Sequence, residues 1–313
     1  MLNLDFAFLN LINKDKKGLA SQKYFLEKLT PIFFKPRLEK LIDLRNVSLK
    51  GCNISVPLGI NNFQMLNQDL QNDLLDKSFN IVNEYGIHYM AVDRKLKLLL
   101  RGLTNYRSLV FGDNFIKALA NVVIADTLNK HSIKKIIIIG ETERFEDFLE
   151  VITSYELPLS LQNQNPHYHE KMTYRMLYER GCAVSNSYIS PDEWGEKDII
   201  INFDQGDGQL SISSPDLYYF EFANNKVNLA PKLEEKLGLS GIEPNISSLA
   251  PILETSLWRK AGFLHLGEEQ SYAKELINGK AFLTLQKTGD RWGLWDQFLD
   301  NGIWGLYNTL KTS

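Results

Sequence analysis

The sequence has few cysteines, no long apolar run and no excess of basic residues, and each of these absences excludes a class of protein. Cys52 and Cys182 are the two cysteines among 313 residues, and they match no metal-binding spacing. We interpret them as reduced thiols and expect a cytoplasmic protein. No stretch approaches the roughly 18 apolar residues of a membrane-spanning helix. The net charge of −3 lacks the basic excess typical of nucleic-acid binding. We therefore expect neither a membrane nor a nucleic acid as partner.

Several common functional motifs are also missing. The chain contains no phosphate-binding Walker loop, no G-x-S-x-G nucleophile turn and no zinc-binding pattern. It has no internal repeat, no low-complexity tract and no long Pro/Gly/Ser linker. With 44% hydrophobic and 23% charged residues, its composition is that of an ordinary globular protein, and its length is enough for two domains.

From residue 134 onward, apolar runs alternate with amphipathic helices, which is the pattern of parallel βαβ units. Before that point, residues 1–45 look helical or irregular, and strong helical patterns cover 67–85 and 114–131. We predict an α/β fold with a Rossmann-like parallel sheet. The predicted domains are an N-terminal α/β domain (1–132), the Rossmann-like domain (133–240) and a C-terminal helical segment (241–313) that packs back over the junction.

The stretch IIIIGETERFED, residues 136–147, has the outline of the first strand and turn of a dinucleotide-binding domain. The fingerprint G-x-G-x-x-G starting at Gly140 would place glycines two and five residues later, where Thr142 and Phe145 stand. Glutamates flank Thr142 on both sides. A like-charge contact at about 4 Å costs on the order of 4 kcal/mol at an effective dielectric near 20, so the acids oppose a pyrophosphate. Arg144 is the one nearby cation. We interpret the turn as a self-capped helix start, which disfavours NAD(P).

Two further positions could contact a ligand at the ends of neighbouring strands. A ribose-binding carboxylate is expected about 20 residues after the turn, and Asn163 lies there instead. Asp204 follows another predicted strand and, with Asp207, could hold a cation or accept a hydrogen bond from a ligand hydroxyl. A polar turn is the alternative interpretation of that loop. We therefore name Gly140, Thr142, Arg144, Asn163 and Asp204 as candidate cofactor-binding residues.

Lys97 and Asp113 are the candidate catalytic residues. Lys97 follows a predicted strand, and Asp113 opens the helix at 114–131. A lysine–aspartate pair can transfer a proton if its members meet, while a solvated charge cluster is the alternative. His167 and His169 open another helix, where alternate residues diverge, so we predict no metal there.

Three segments, ISVPLGINNFQML (54–66), LLDKSFNIVNEYGIHYMAV (74–92) and GDNFIKALANVVIADTLNKHSIKKIIIIG (112–140), occur in a characteristic order. Together they resemble the shikimate-dehydrogenase-like and predicted amino-acid-dehydrogenase proteins. In that group a Gly-Asn-Thr-like segment opens the interdomain helix, and Gly112-Asp113-Asn114 stands in its place here. The resemblance implies two domains and an NAD(P)-dependent oxidoreductase.

We predict a divergent Rossmann-like protein that has lost standard dinucleotide binding and binds a small-molecule ligand or a partner between its domains. An NAD(P)-dependent oxidoreductase with an atypical loop is the alternative. A second alternative is an interaction protein that uses the aromatic segment RWGLWDQFLDNGIWGLYNTLK, residues 291–311. A homodimer is compatible with each of them. The sequence does not decide whether the chain is an enzyme.

Overall fold

The computed structural model describes residues 4–12, 15–44, 48–104, 108–204, 217–223, 227–229, 231–262, 280–299 and 304–306. The strands in chain order are β1 (Phe6–Leu11), β2 (Arg37–Leu44), β3 (Leu49–Val56), β4 (Met90–Val92), β5 (Leu109–Val110), β6 (Lys135–Ile139), β7 (Leu159–Asn163), β8 (Val184–Tyr188), β9 (Asp198–Asn202), β10 (Tyr218–Glu221), β11 (Val227–Leu229) and β12 (Trp304–Leu306). The α-helices are α1 (Lys23–Phe33), α2 (Ile60–Met65), α3 (Gln68–Asn83), α4 (Lys97–Leu100), α5 (Asp113–Lys130), α6 (Phe145–Thr153), α7 (Glu170–Arg180), α8 (Pro231–Leu239), α9 (Ile246–Lys260), α10 (Ala281–Arg291) and α11 (Asp296–Leu299). Short 3-10 helices lie at Gly18–Ser21, Arg94–Leu96, Pro166–His169 and Pro191–Glu193.

The chain forms two compact units, and each contains segments that are distant in sequence. The first unit comprises Met1–Gly112 and Ala230–Lys274, and the second comprises Asp113–Leu229 and Glu275–Ser313. The predicted boundary near residue 132 falls inside the second unit, because α5 packs against α10 there. Phe115 of α5 contacts Trp295 and Phe298 at ring-centre distances of 5.4 and 5.7 Å. The packing of α5 thus decides where the first unit ends.

The first unit is built on a five-stranded sheet with the order β2-β3-β1-β4-β5. β2 runs antiparallel to β3, and the other neighbouring strands are parallel. The prediction of helical or irregular structure for residues 1–45 is wrong at β1 and β2. β1 is the central strand, and its residues FAFLNL are buried on both faces. Such a strand shows a continuous apolar run instead of a period of two, so its spacing is ambiguous.

The second unit contains a parallel sheet with the order β10-β9-β6-β7-β8. Numbered within the unit and read from the β8 edge, this is the 3-2-1-4-5 order of doubly wound folds. Ile136–Ile139 of β6 are at most 1% exposed, as a central strand covered on both faces requires. The predicted α/β class with a Rossmann-like parallel sheet is confirmed. β11 and β12 form a separate antiparallel pair.

The C-terminal part of the chain contributes helices to both units. α9 packs against β1 and β4 of the first unit, and α10 packs against α5 of the second. The Asn245 side chain caps α9 by accepting a hydrogen bond from the Ser248 N–H at 2.9 Å. Residues 263–279 of the predicted C-terminal helical segment lie outside the described residues. Within the described part of the chain, no helix combines the length and apolarity needed to span a membrane.

Candidate functional site

The carboxyl edge of the second unit's sheet brings together the residues predicted to bind a cofactor. Gly140 follows β6, Asn163 ends β7 and Asp204 lies two residues after β9. Thr142 and Arg144 lie in the turn from β6 to α6. In doubly wound sheets, ligands bind outside the strand ends where the strand order reverses, which here is between β6 and β9. These residues therefore lie at the edge where such a sheet would bind a ligand, and their role in binding stays a prediction.

Gly140 is required by the close approach of two strand ends. Its φ is +74°, and an added Cβ would lie 2.8 Å from the backbone nitrogen of Asp204. The Phe203 N–H donates to the Ile139 carbonyl at 2.8 Å, which holds the segment after β9 beside the turn. Gly140 thus has a packing role that is independent of any phosphate.

The polar groups at the end of β9 form hydrogen bonds within the protein. The Asn202 side chain accepts from the Asp204 N–H at 2.9 Å and donates to the Tyr219 hydroxyl at 2.7 Å. Burial raises the pKa of Tyr219 to about 12, so this phenol stays protonated near neutral pH. Asp207, the other acid proposed for a cation, lies outside the described residues. No group of three or more potential metal ligands occurs among the residues that the structure describes.

Phe145 occupies the position of the third fingerprint glycine and is 5% exposed. Its ring lies 6.4 Å from that of Phe148 and 6.5 Å from that of Phe203, measured between centres. The Phe145 and Phe203 rings meet edge to face, a favourable aromatic geometry. An aromatic cluster therefore fills the space between α6 and the sheet that a glycine would leave open.

The sequence predicts a self-capped start for α6, but the N-cap side chain does not cap this helix. Arg144 is the N-cap residue in the left-handed conformation, with φ +53°, and its side chain makes no capping hydrogen bond. Two of the nearby acids are directed toward α7 and the turn before it. Glu146 forms an ion pair with Arg175, and the Glu141 carboxylate lies 3.6 Å from His169 Nε2. The electrostatic bias against phosphate is therefore smaller than the residue count predicts.

Lys117 is a residue of the site that the sequence analysis missed. It lies on α5, is 1% exposed, and its Nζ donates to the Glu143 carbonyl at 3.0 Å. The ammonium also lies 5.5 Å from the centre of the Phe282 ring. A lysine with apolar neighbours on both sides, as in FIKALA, was the available signal. Lys117 fixes the carbonyl of the residue before Arg144 and so holds the shape of the turn.

Thr142 and Asn163 place unsatisfied polar atoms at this edge. Both side chains are 7% exposed. The Asn163 Oδ1 accepts from the Asn165 N–H at 2.8 Å, but its Nδ2 has no hydrogen-bond partner in the described structure, and neither has Thr142 Oγ1. Thr142 lies in the turn after β6, and Asn163 ends the neighbouring strand β7, whose Gln162 is aligned with Ile139. Buried polar atoms are nearly always paired, so these two are candidates for ligand contact, and their role in binding stays a prediction.

The candidate catalytic residues Lys97 and Asp113 fall in different units. Lys97 begins α4 in the first unit, with its Nζ 6.0 Å from the centre of the Phe111 ring. Asp113 is a buried residue at the start of α5 in the second unit. Proton transfer between them stays a prediction.

A polar cluster joins β4 to α9 in the first unit and was also missed. The Asp93 carboxylate accepts from the hydroxyls of Ser247 and Ser248 at 2.8 and 2.6 Å and from the Lys95 N–H at 2.8 Å. Lys95 Nζ lies 2.9 Å from Glu243, and this hydrogen bond holds the pKa of Glu243 below its usual value. These contacts anchor the N-terminus of α9 at the end of β4.

Comparisons with known proteins give similarities of fold. No protein-family model matches the chain, and no curated protein matches it. One similar solved structure is L-tryptophan dehydrogenase from Nostoc punctiforme, at 13% identity and a TM-score of 0.45, covering 96% of this chain and 83% of that one. Another is a chorismate mutase/shikimate 5-dehydrogenase fusion protein from Clostridium acetobutylicum, at 13% identity and a TM-score of 0.37, covering 91% and 98%. These are the two kinds of protein that the sequence resemblance names, and neither assigns an activity to this chain.

Proposed function

We propose that the second unit binds a small, uncharged polar ligand at the carboxyl edge of its sheet and does not bind a dinucleotide in the standard way. The observation that carries this proposal is the pair of unpartnered buried atoms, Thr142 Oγ1 and Asn163 Nδ2. Asn163 Nδ2 is a donor, and a threonine hydroxyl both donates and accepts. A ligand hydroxyl or carboxamide is a suitable partner for either atom.

The residues of the turn do not fit the pyrophosphate of NAD(P). Asp204 already occupies the space beside Gly140, and Phe145 takes the place of the third glycine. The Lys117 ammonium is buried and bonded to the Glu143 carbonyl, so it supports the turn instead of facing solvent. The side chain of Glu141 is 63% exposed beside this edge and repels anions.

Nucleotide binding is tested by melting the full chain with NAD+, NADH, NADP+ or NADPH at about 1 mM. A ligand with Kd near 10 μM would stabilise the protein by about 2.7 kcal/mol at about 100-fold excess over Kd. That free energy corresponds to a melting-temperature rise of roughly 5 °C or more. We expect a rise below about 1 °C, and a rise of the larger size would overturn the proposal.

The ligand class is tested with a panel of uncharged hydroxyl and carboxamide compounds, each compared with its phosphorylated or carboxylated analogue. We expect a neutral compound to bind better than its anionic analogue. Thr142→Val and Asn163→Leu should each weaken its binding at least tenfold, because each leaves a ligand group unpaired. Ser154→Ala, at the exposed residue that follows α6, is the control and should not change binding.

The second candidate function is an NAD(P)-dependent oxidoreductase with an atypical turn. The 3-2-1-4-5 strand order and a glycine at its reversal point support it. In that case Lys97→Met and Asp113→Asn should abolish turnover while leaving nucleotide binding unchanged. The melting experiment with the four nucleotides separates this candidate from the first.

A further inference from the structure

Tyrosines are concentrated at the β8 edge of the second unit. Tyr168, Tyr174, Tyr178 and Tyr188 are 81%, 59%, 80% and 60% exposed. Tyr174 and Tyr178 stack along α7 with their ring centres 6.3 Å apart. β8, beside α7, is the edge strand of its sheet. Tyrosine is enriched in protein interfaces, where its ring packs and its hydroxyl finds a partner.

The opposite face of α7 is fixed to the unit. Met172 and Met176 are buried, and Arg175 and Arg180 form ion pairs with Glu146 and Glu150 of α6. The helix is therefore held in place while its tyrosines face outward. An ordered surface loses less conformational entropy on association than a mobile one.

We propose that this surface, formed by Tyr168, Tyr174, Leu177, Tyr178 and Tyr188, is a homodimer interface in which α7 packs antiparallel against α7 of a second copy. A two-fold axis near the middle of the helix brings Tyr174 of one copy opposite Tyr178 of the other. The same axis repeats each contact, as a self-complementary interface requires.

The exposed tyrosine area matches a small stable dimer. Aromatic side chains bury about 150–250 Å² each, and the four exposed fractions together correspond to roughly 400–700 Å² per copy. Two copies would then bury about 800–1,400 Å² from the tyrosines alone, against about 1,200–2,000 Å² for a standard interface. Leu177, 43% exposed, adds to this area.

The charged residues around α7 favour self-association, whereas those around α1, another helix with exposed apolar residues, oppose it. α1 exposes Tyr24, Phe25, Ile32 and Phe33, but Lys23, Lys28 and Lys35 border it against the single acid Glu27. Two copies of α1 would bring like charges together. α7 carries both signs, with Lys171 near its start and Glu179 near its end. Antiparallel packing brings Lys171 of one copy toward Glu179 of the other.

Sedimentation equilibrium of the full chain between about 1 and 100 μM tests the proposal, since this range brackets a micromolar dimer. We expect a dimer that the double variant Tyr174→Ser/Tyr178→Ser weakens at least tenfold, with an unchanged melting temperature at low concentration. The matched control, Tyr24→Ser/Phe33→Ser on α1, should leave the dimer intact. A monomeric wild type, or a dimer that the α1 variant weakens and the α7 variant does not, would overturn the proposal.

Charge reversal tests the antiparallel arrangement. Lys171→Glu should weaken dimerisation by roughly fivefold, because it places like charges together at both ends of the helix pair. The double variant Lys171→Glu/Glu179→Lys should restore the wild-type affinity. If the double variant is as weak as Lys171→Glu, the two helices do not pack antiparallel and the proposed interface is wrong.

Discussion

Replacing Gly140 with alanine is expected to destabilise the second unit by about 2–5 kcal/mol, in two separable parts. The left-handed φ of +74° costs an L-residue about 1–2 kcal/mol. The added Cβ would also lie 2.8 Å from the Asp204 nitrogen and 3.1 Å from its Cα. Backbone atoms cannot rotate away, so the neighbouring segments must shift, which typically costs about 1–3 kcal/mol.

Gly181→Ala is the matched control. Gly181 ends α7 with φ +66°, but nothing lies within 4 Å of a Cβ added there. This variant should lose only the conformational part, about 1–2 kcal/mol. Both substitutions restrict the unfolded chain equally, so the difference between them isolates the contact with Asp204.

Urea unfolding followed by tryptophan emission measures both variants. Trp194 is buried in the same cluster as Ile139 and Ile200, so its emission reports on the sheet that contains the turn. We expect Gly140→Ala to be less stable than Gly181→Ala by about 1–3 kcal/mol. Equal losses of stability would show that the strand ends beside Gly140 do not pack closely. The turn would then have room for a pyrophosphate beside Gly140, contrary to the proposal.

Four other substitutions test individual contacts. Thr142→Val should stabilise the chain by up to about 1 kcal/mol in urea unfolding, whereas Thr127→Val, which removes a 2.7 Å hydrogen bond, should destabilise it by about 0.5–1.5 kcal/mol. Asp93→Ala should cost about 2–4 kcal/mol, because it removes three hydrogen bonds from the end of β4; a loss below about 0.5 kcal/mol would contradict this. In an NMR titration, Lys95→Met should raise the depressed pKa of Glu243 toward its ordinary value. Because folding lowers the pKa of Glu243, the ion pair with Lys95 stabilises the protein at pH values above the ordinary glutamate pKa. This stabilisation is lost as the pH falls through the pKa of Glu243 in the folded protein. Both side chains are about half exposed, which limits the stabilisation to less than about 1 kcal/mol.

The parallel sheet of the second unit could be predicted because its strands are separated by helices with clear periodicity. β6 is a run of isoleucines that no amphipathic helix would contain, and Gly181 ends α7 as the sequence indicates. β1 could not be identified in the same way. Its six residues FAFLNL are mainly apolar on both faces, and no α-helix begins within the next ten residues, so periodicity does not separate a strand from a helix.

The candidate site was predictable in position but not in chemistry. Strand ends fix where Gly140, Asn163 and Asp204 must lie, because parallel strands share one carboxyl edge. The partners of those residues depend on tertiary contacts between distant segments. Lys117 reaches the turn from α5, and Glu146 is drawn to α7 by Arg175. The local sequence marks Lys117 as a lysine among apolar residues, but it does not show which group Lys117 or Glu146 contacts. The sequence therefore predicts a stronger negative charge at the turn than the structure has.

A glycine after the first strand is weak evidence for nucleotide binding in this fold. At Gly140 the requirement comes from Asp204, which approaches too closely for any side chain, and from a φ that favours glycine. That packing would preserve the glycine whether or not a phosphate ever binds. The second fingerprint glycine lets the backbone approach a pyrophosphate, and the third lets the helix pack closely on the strand, so these positions carry more information than the first. Here they hold a buried threonine with a free hydroxyl and a phenylalanine packed into an aromatic cluster. The discriminating information therefore lies at Thr142 and Phe145, and both support the proposed ligand, which has no pyrophosphate.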